Sequence, residues 1–100
     1  MAGYAGTQFV SNQTDIAVGV SGKATRVFFV EQTSGGTAAV VILHNGTSTS
    51  GSAYSTINGT INLQATRYYG EEGMFFPAGC FLNVDANTTS ATVTYRQEMS

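Results

Sequence analysis

Residues 80–96 read CFLNVDANTTSATVTYR, and this stretch decides the fold class. Apolar side chains occupy every second position of two segments: Cys80, Leu82 and Val84 in the first, Ala91, Val93 and Tyr95 in the second. Successive side chains of a β-strand point to opposite faces, so each segment predicts a strand with one buried face.

The rest of the chain continues this pattern. Two further alternating segments are Ile16, Val18 and Val20, and Ile61, Leu63 and Ala65. Phe76-Pro77-Ala78-Gly79 suits a type I turn, with Pro second and Gly fourth. The polar segment 45–59 predicts a long surface loop, with room for a short strand around Tyr54. No 3.6-residue helical pattern persists, so we predict an all-β fold: a small antiparallel β-sandwich or jelly roll of six to eight short strands without substantial helix.

The length of 100 residues predicts one domain. We assign residues 15–100 to a single β-sandwich domain and residues 1–14 to an N-terminal arm or edge strand, with Phe9 and Val10 as its apolar anchor. The first residues have neither a cationic start nor a long apolar core, so we expect no signal peptide. No segment approaches the roughly 20 apolar residues that span a bilayer, so we expect no membrane partner.

Charge is scarce, with four Lys and Arg residues, six Asp and Glu residues and a net charge of −2. The basic residues are scattered along the chain, whereas nucleic-acid binders carry a basic patch, so we expect no nucleic-acid partner. Cys80 is the single cysteine and His44 the single histidine, which is too few for an intrachain disulfide or a structural zinc site. We therefore predict no cofactor and no metal.

Three places hold residue types that catalyse reactions in other proteins. Glu71 and Glu72 stand between glycines and predict a solvated turn tip rather than an acid/base pair. His44 follows an apolar run, and no G-x-S-x-G sequence accompanies it. Cys80 shares the apolar face of its strand and predicts a buried structural thiol. No nucleophile, base and orienting group can be named together, so we predict no catalytic residue and no enzymatic activity.

Two segments, residues 26–30 and 38–43, are apolar on both faces. A two-layer sandwich buries one face of each sheet, so the second face of these strands needs another cover, either the segment 45–59 or, as we favour, another chain. The candidates for such an interface are apolar or aromatic: Phe9, Val10, Phe28, Val30, Tyr54, Tyr68 and Tyr69.

The order of the segments along the chain indicates a resemblance to a known family. A double-aromatic strand (27–30) precedes an apolar strand ending at His44-Asn45-Gly46, an Ile-x-Leu segment at 61–63, a glycine- and phenylalanine-rich segment at 70–81, and Thr-Val-Thr-Tyr at 92–95. Over about residues 24–96 this order resembles the small β-sandwich structural proteins of tailed bacteriophage particles, of the kind encoded near the capsid genes.

The resemblance implies a non-enzymatic virion protein, assembled in the host cytoplasm, that decorates and stabilises the capsid. Its expected partners are the major capsid protein or other virion subunits, and further copies of itself in a homo-oligomer. Two alternatives stay open: a neck or tail component of the same particle, and a carbohydrate-binding adhesion module that stacks Tyr54, Tyr68 and Tyr69 on sugar rings.

Overall fold

The computed structural model describes residues 7–11, 15–35, 39–60, 63–85 and 88–97, with side chains from residue 15 onward except that of Thr89. These ranges contain nine strands and no helix. The strands are β1 (Thr7–Ser11), β2 (Ile16–Val18), β3 (Thr25–Ser34), β4 (Val40–Asn45), β5 (Ser52–Asn58), β6 (Gln64–Tyr68), β7 (Met74–Phe76), β8 (Cys80–Val84) and β9 (Thr88–Gln97).

The strands form two antiparallel sheets. Sheet A has the order β1-β9-β3-β6, with β7 also paired to β3, and sheet B has the order β2-β8-β4-β5. Along one edge of β3, β6 pairs with residues 29–33 and β7 with residues 25–27, so the two short strands share one place in the sheet. The nine strands therefore fill eight places, and the prediction of a small all-β sandwich is confirmed.

The pairing is nested along the chain. β1 pairs with β9, β2 with β8, β3 with β6 and β7, and β4 with β5, and every pair is antiparallel. The chain thus follows a two-stranded ribbon whose successive pairs alternate between the two sheets. A ribbon wrapped in this way is the jelly roll, one of the two architectures that the alternating sequence predicted.

The core lies between the sheets and consists of alternate strand residues. Fully buried side chains come from both layers: Val27, Val30 and Val93 from sheet A, Val41, Leu43 and Leu82 from sheet B. Ala91 and Cys80 are also buried, as the alternation in residues 80–96 predicts. The sheets pack through one face each, which leaves a second face on each sheet turned outward.

Three local predictions differ from the structure. The segment 45–59 was predicted as a loop with room for a short strand around Tyr54, and residues 52–58 form the seven-residue strand β5 beside β4, because Ser55 and Ile57 fill the interior side of that edge. The strand predicted around Leu63 begins only at Gln64, and Leu63 is 59% exposed; residues 61 and 62 lie outside the described residues. Strand β2 ends at Val18, and Val20 is 56% exposed, its amide donating to Gln97 Oε1 at 2.9 Å.

Strand β3 contains a bulge that shifts its alternation. Val27 stands opposite Tyr95 on β9, and the next partnered residue, Phe29, stands opposite Thr94, so Phe28 is an extra residue on β3. An inserted residue moves the following side chains to the other face of the sheet. Val27 and Val30 consequently both face the core, although they are three residues apart.

Candidate interaction surface

The outward side of sheet A carries an ordered set of side chains that we call the sheet A face. We define it by three rows of the strand register, each of which crosses β9, β3 and the place shared by β6 and β7. The rows are Arg96, Arg26 and Phe75; Thr94, Phe29 and Tyr68; and Thr92, Glu31 and Thr66. Val27, Val30 and Val93, which alternate with members of this face, point into the core. The sheet A face is therefore aromatic and cationic at one end and rich in hydroxyl groups at the other.

Aromatic rings on this surface remain accessible. Tyr68 is 58% exposed and Phe75 is 42% exposed, and Phe29, opposite Tyr68 on β3, is partly exposed. Aromatic residues and arginine are the residue types enriched in protein interfaces. Tyr68 thus stays an interface candidate, and it lies beside two phenylalanines that extend the aromatic surface.

Two arginines on the sheet A face lie over aromatic rings. The Arg26 guanidinium is 4.8 Å from the centroid of Phe75 and donates through Nη1 to the Glu72 carbonyl oxygen at 3.1 Å. Arg96 is 5.6 Å from the centroid of Phe28. Contacts of this length are cation–π interactions, which hold the planar guanidinium groups close to the sheet. Arg26 and Arg96 stand directly opposite each other in the register.

Two of the interface candidates lie inside the folded chain. Val30 is 0% exposed and belongs to the core between the sheets. Phe28 is 1% exposed; the Arg96 guanidinium lies over its ring, and Gly73 in the loop between β6 and β7 lies against the ring edge. The chain itself therefore covers Phe28 and Val30, and we omit both from the interaction surface.

Tyr54 and Tyr69 lie where the edges of the two sheets meet. Tyr54 is 42% exposed and packs on Phe76 with a centroid distance of 5.2 Å. Tyr69 is half-buried, and its hydroxyl shares a 2.7 Å hydrogen bond with Ser55 on β5. Burial raises the pKa of the Tyr69 phenol above its ordinary value. Tyr69 therefore joins sheet A to sheet B, and Tyr54 keeps an accessible ring edge.

Phe9 and Val10 lie on β1, the edge strand of sheet A, opposite Val93 and Thr92 of β9. The backbone of residues 7–11 thus forms the edge strand that was one of the two alternatives for the N-terminal segment. The side chains of both candidates lie outside the described residues, as do residues 1–6 and 12–14.

The outward side of sheet B, the sheet B face, is more apolar. Val40, Ile42 and Phe81 alternate with buried core residues of β4 and β8 and are all partly exposed. His44, opposite Phe81, is 8% exposed and donates through Nδ1 to the Gly51 carbonyl oxygen at 2.9 Å if that nitrogen carries the proton. The second apolar face predicted for the strand at residues 38–43 is represented by Val40 and Ile42, which lie on the outside of the sandwich; residue 38 lies outside the described residues.

The residues with catalytic side-chain types have separate positions. Glu71 and Glu72 are exposed at the tip of the loop between β6 and β7. Burial raises the pKa of the Cys80 thiol to about 12, which keeps it protonated and poorly nucleophilic. Within the described ranges, no three His, Cys, Asp or Glu residues are grouped closely enough to hold a metal ion.

A groove of about 580 Å³ opens between β2 and β9, lined by Ile16, Val20, Tyr95 and Gln97 among others. Its one amide side chain is engaged by the chain itself, because Gln97 Oε1 accepts from the Val20 amide and Nε2 lies 2.8 Å from Thr25 Oγ1. Ligand pockets usually bring several polar groups together to orient a molecule. This groove offers mainly apolar contact.

Comparison of the chain with protein-family models, curated proteins and solved structures finds no match. In the part of the chain that the structure describes, no helix is long and apolar enough to cross a membrane. The fold and its two outward faces therefore carry the functional proposal.

Of the nine members of the sheet A face, only Tyr68 was predicted from the sequence as an interface residue; the eight others include the aromatic and charged residues Arg26, Phe29, Glu31 and Phe75. Phe29 and Phe75 each stand next to another phenylalanine, and the pattern alone does not tell which member of a pair points outward. Arg26 and Glu31 belong to opposite alternation phases of an unbroken strand, so only the bulge brings them to one face. No sequence signal marks that bulge.

Proposed function

We propose that the protein is a non-enzymatic structural subunit of a tailed-phage particle that binds the assembled capsid and stabilises it. The observation that carries this proposal is that both outward faces of the sandwich hold large apolar side chains: Phe29, Tyr68 and Phe75 on one, Val40, Ile42 and Phe81 on the other. An antiparallel sheet facing water usually carries polar residues on its outer face. Two such faces suit a subunit with neighbours on both sides.

The mechanism is mass action. A subunit that binds the assembled lattice and not the dispersed capsid protein stabilises the lattice by its own binding free energy. The contribution repeats at every equivalent site, so a modest interface is sufficient. We assign the capsid contact to the sheet B face, because it is the more apolar of the two and its strand β4 supplies both Val40 and Ile42.

The test is cosedimentation of the purified protein with capsids of the encoding phage that lack it. We expect saturable binding that Ile42→Asp abolishes, because a carboxylate at the centre of the sheet B face would have to be desolvated. Thr33→Asp places the same charge on the outer side of sheet A and should bind as the wild type. Wild-type protein that stays in the supernatant at all capsid concentrations would refute the proposal.

The copy number in purified virions, from quantitative mass spectrometry, distinguishes a capsid protein from a neck or tail component. Hundreds of copies support capsid decoration, and a dozen or fewer place the protein on the portal–tail axis. Absence from the virion refutes both.

A carbohydrate-binding module is the second candidate. The accessible rings of Tyr54 and Tyr68 favour it, and lectins are among the proteins that share the jelly-roll architecture. A glycan array without a hit would refute it.

A further inference from the structure

We propose that the sheet A face is a self-complementary dimer interface that binds a second copy of this chain about a two-fold axis. This inference goes beyond the capsid proposal and does not depend on it. It rests on the positions of one cation, one anion and one aromatic row along β3.

The spacing of the three rows is regular. Arg26, Phe29 and Glu31 of β3 stand opposite Arg96, Thr94 and Thr92 of β9, respectively. Along β9, each of these three residues is two positions from the next. Two strand residues span roughly 6.7 Å, so Arg26 and Glu31 lie at about equal distances on either side of the Phe29 row. The bulge at Phe28 creates this symmetry, because it moves Glu31 to the side of the sheet that Arg26 occupies.

Two copies can stack with their sheet A faces together. A two-fold axis that runs along the Phe29 row, midway between the two sheets, places the Arg26 row of each copy over the Glu31 row of the other. Arg26 of one copy then faces Glu31 of the other, and the same pair forms again on the opposite side of the axis. Phe29 and Tyr68 meet their own counterparts at the centre. A closed two-fold interface requires this property, that one patch complements itself.

The charges within one chain favour such a partner. Arg26 and Arg96 stand directly opposite each other and make their row cationic, and both also have contacts within their own chain. Among the described residues, no hydrogen bond or ion pair engages the Glu31 carboxylate. The planar guanidinium binds a carboxylate through two parallel hydrogen bonds. In the two-fold arrangement, Glu31 of the second copy brings a carboxylate to this cationic row, and the Glu31 carboxylate gains a guanidinium partner.

The size of the face sets the expected affinity. Its nine outward side chains are fewer than half of the roughly 20–30 residues on each side of a standard stable interface. We therefore expect a dissociation constant on the order of 10–100 µM, measurable by sedimentation at about 10 µM to 1 mM protein. On a lattice or a tethered array, high local concentration would make so weak a contact effective.

Charge exchange is the first test. Glu31→Arg and Arg26→Glu each place like charges across the axis, and we expect each to raise the dissociation constant at least about tenfold. The double variant restores opposite charges and should return within about threefold of the wild type. Glu71→Arg makes the same charge change at the loop tip and serves as the matched control, with wild-type dimerisation expected. Circular dichroism verifies that each variant is folded.

Cross-linking is the second test and leaves the charges unchanged. Thr94→Cys lies on the proposed axis, so two copies should be joined by a bismaleimide that spans the roughly 10 Å between stacked sheets. Thr33→Cys lies on the same side of sheet A but about 13 Å from the axis, which separates the two copies of that cysteine by about 27 Å. Cys80 is buried and provides an unreactive background.

The results decide the proposal. Dimers of Thr94→Cys but not of Thr33→Cys, together with recovery in the charge-exchanged double variant, support it. A wild type that is monomeric at 1 mM, equal cross-linking of both cysteine variants, or a folded double variant without recovery would overturn it.

Discussion

Gly73 lies in the loop between β6 and β7, which passes over the sheet A face beside Phe28. Its replacement by alanine tests whether this loop accounts for the burial of the Phe28 ring. The residue has a φ of +73°, and an added Cβ would lie 2.7 Å from the Val27 carbonyl oxygen and 2.9 Å from a ring carbon of Phe28. The loop thus lies so close to the bulge of β3 that it has no room for a methyl group.

The expected cost has two parts. Alanine at a positive φ costs about 1–2 kcal/mol, because its Cβ approaches the following carbonyl. Overpacking against the Val27 carbonyl and the Phe28 ring adds about 1–3 kcal/mol, because a backbone carbonyl has little freedom to shift. The sum of roughly 2–5 kcal/mol is a large share of the 5–15 kcal/mol by which folded domains are stable. For a domain of this length, it lowers the melting temperature by roughly 10–30 °C.

The assay is urea unfolding followed by circular dichroism, with Gly70→Ala as the matched control. Gly70 lies in the same loop with a φ of +94°, and an added Cβ would meet no atom within 4 Å. Its replacement should therefore cost only the backbone term of about 1–2 kcal/mol. If the two variants differ by less than about 0.5 kcal/mol, the loop does not press on Phe28, and the explanation of its burial is wrong.

Three further outcomes follow from contacts of buried groups. Tyr69→Phe should lower the free energy of unfolding by about 1 kcal/mol in urea titrations, and combining it with Ser55→Ala should cost less than the sum of the two single changes, because no unpaired hydroxyl remains. Burial raises the pKa of the Cys80 thiol from 9.0 to about 12, so the unfolded state loses this proton at a lower pH than the folded state. The free energy of unfolding should therefore fall as pH rises above 9, and it should fall less steeply in Cys80→Ala. Gln97→Leu removes the acceptor of the solvent-exposed Val20 amide and the Nε2 donor to Thr25 Oγ1, and it should cost about 0.5–1.5 kcal/mol, with an unchanged melting temperature as the contrary result.

The all-β fold could be predicted because one physical rule, period-two alternation, holds in most of the strands. In residues 80–96 it identified β8 and β9 and the buried members of both. For β5 it allowed no more than a short strand around Tyr54, because Ser55 and Ile57 are the residues of β5 that face the interior and a serine gives no apolar signal. It failed at Leu63, an apolar residue left in solvent. Alternation depends only on which side chains are apolar, whereas the pairing between strands determined the structure at β5 and at Leu63.

The candidate surface was less predictable, because it depends on which member of an aromatic pair faces outward. Residues 26–30 contain Phe28 and Phe29, and Phe28 was the member of this pair predicted to lie in an interface. In the structure Phe28 is covered by Gly73 and Arg96, and Phe29 is the residue on the sheet A face. For the two neighbouring tyrosines, the chosen Tyr68 is exposed and the chosen Tyr69 joins the sheets.

The bulge at Phe28 connects these observations. In an unbroken strand, Val27, Phe29 and Glu31 would share one face, and a carboxylate would then lie in the core beside Val27. One inserted residue lets Val27 and Val30 both reach the core and moves Glu31 outward. The same insertion brings Arg26, Phe29 and Glu31 to one side in equal steps. The irregularity that keeps a charge out of the interior thus also creates the symmetric surface, and for this reason we expect fold stability and self-association to respond together to changes at Phe28.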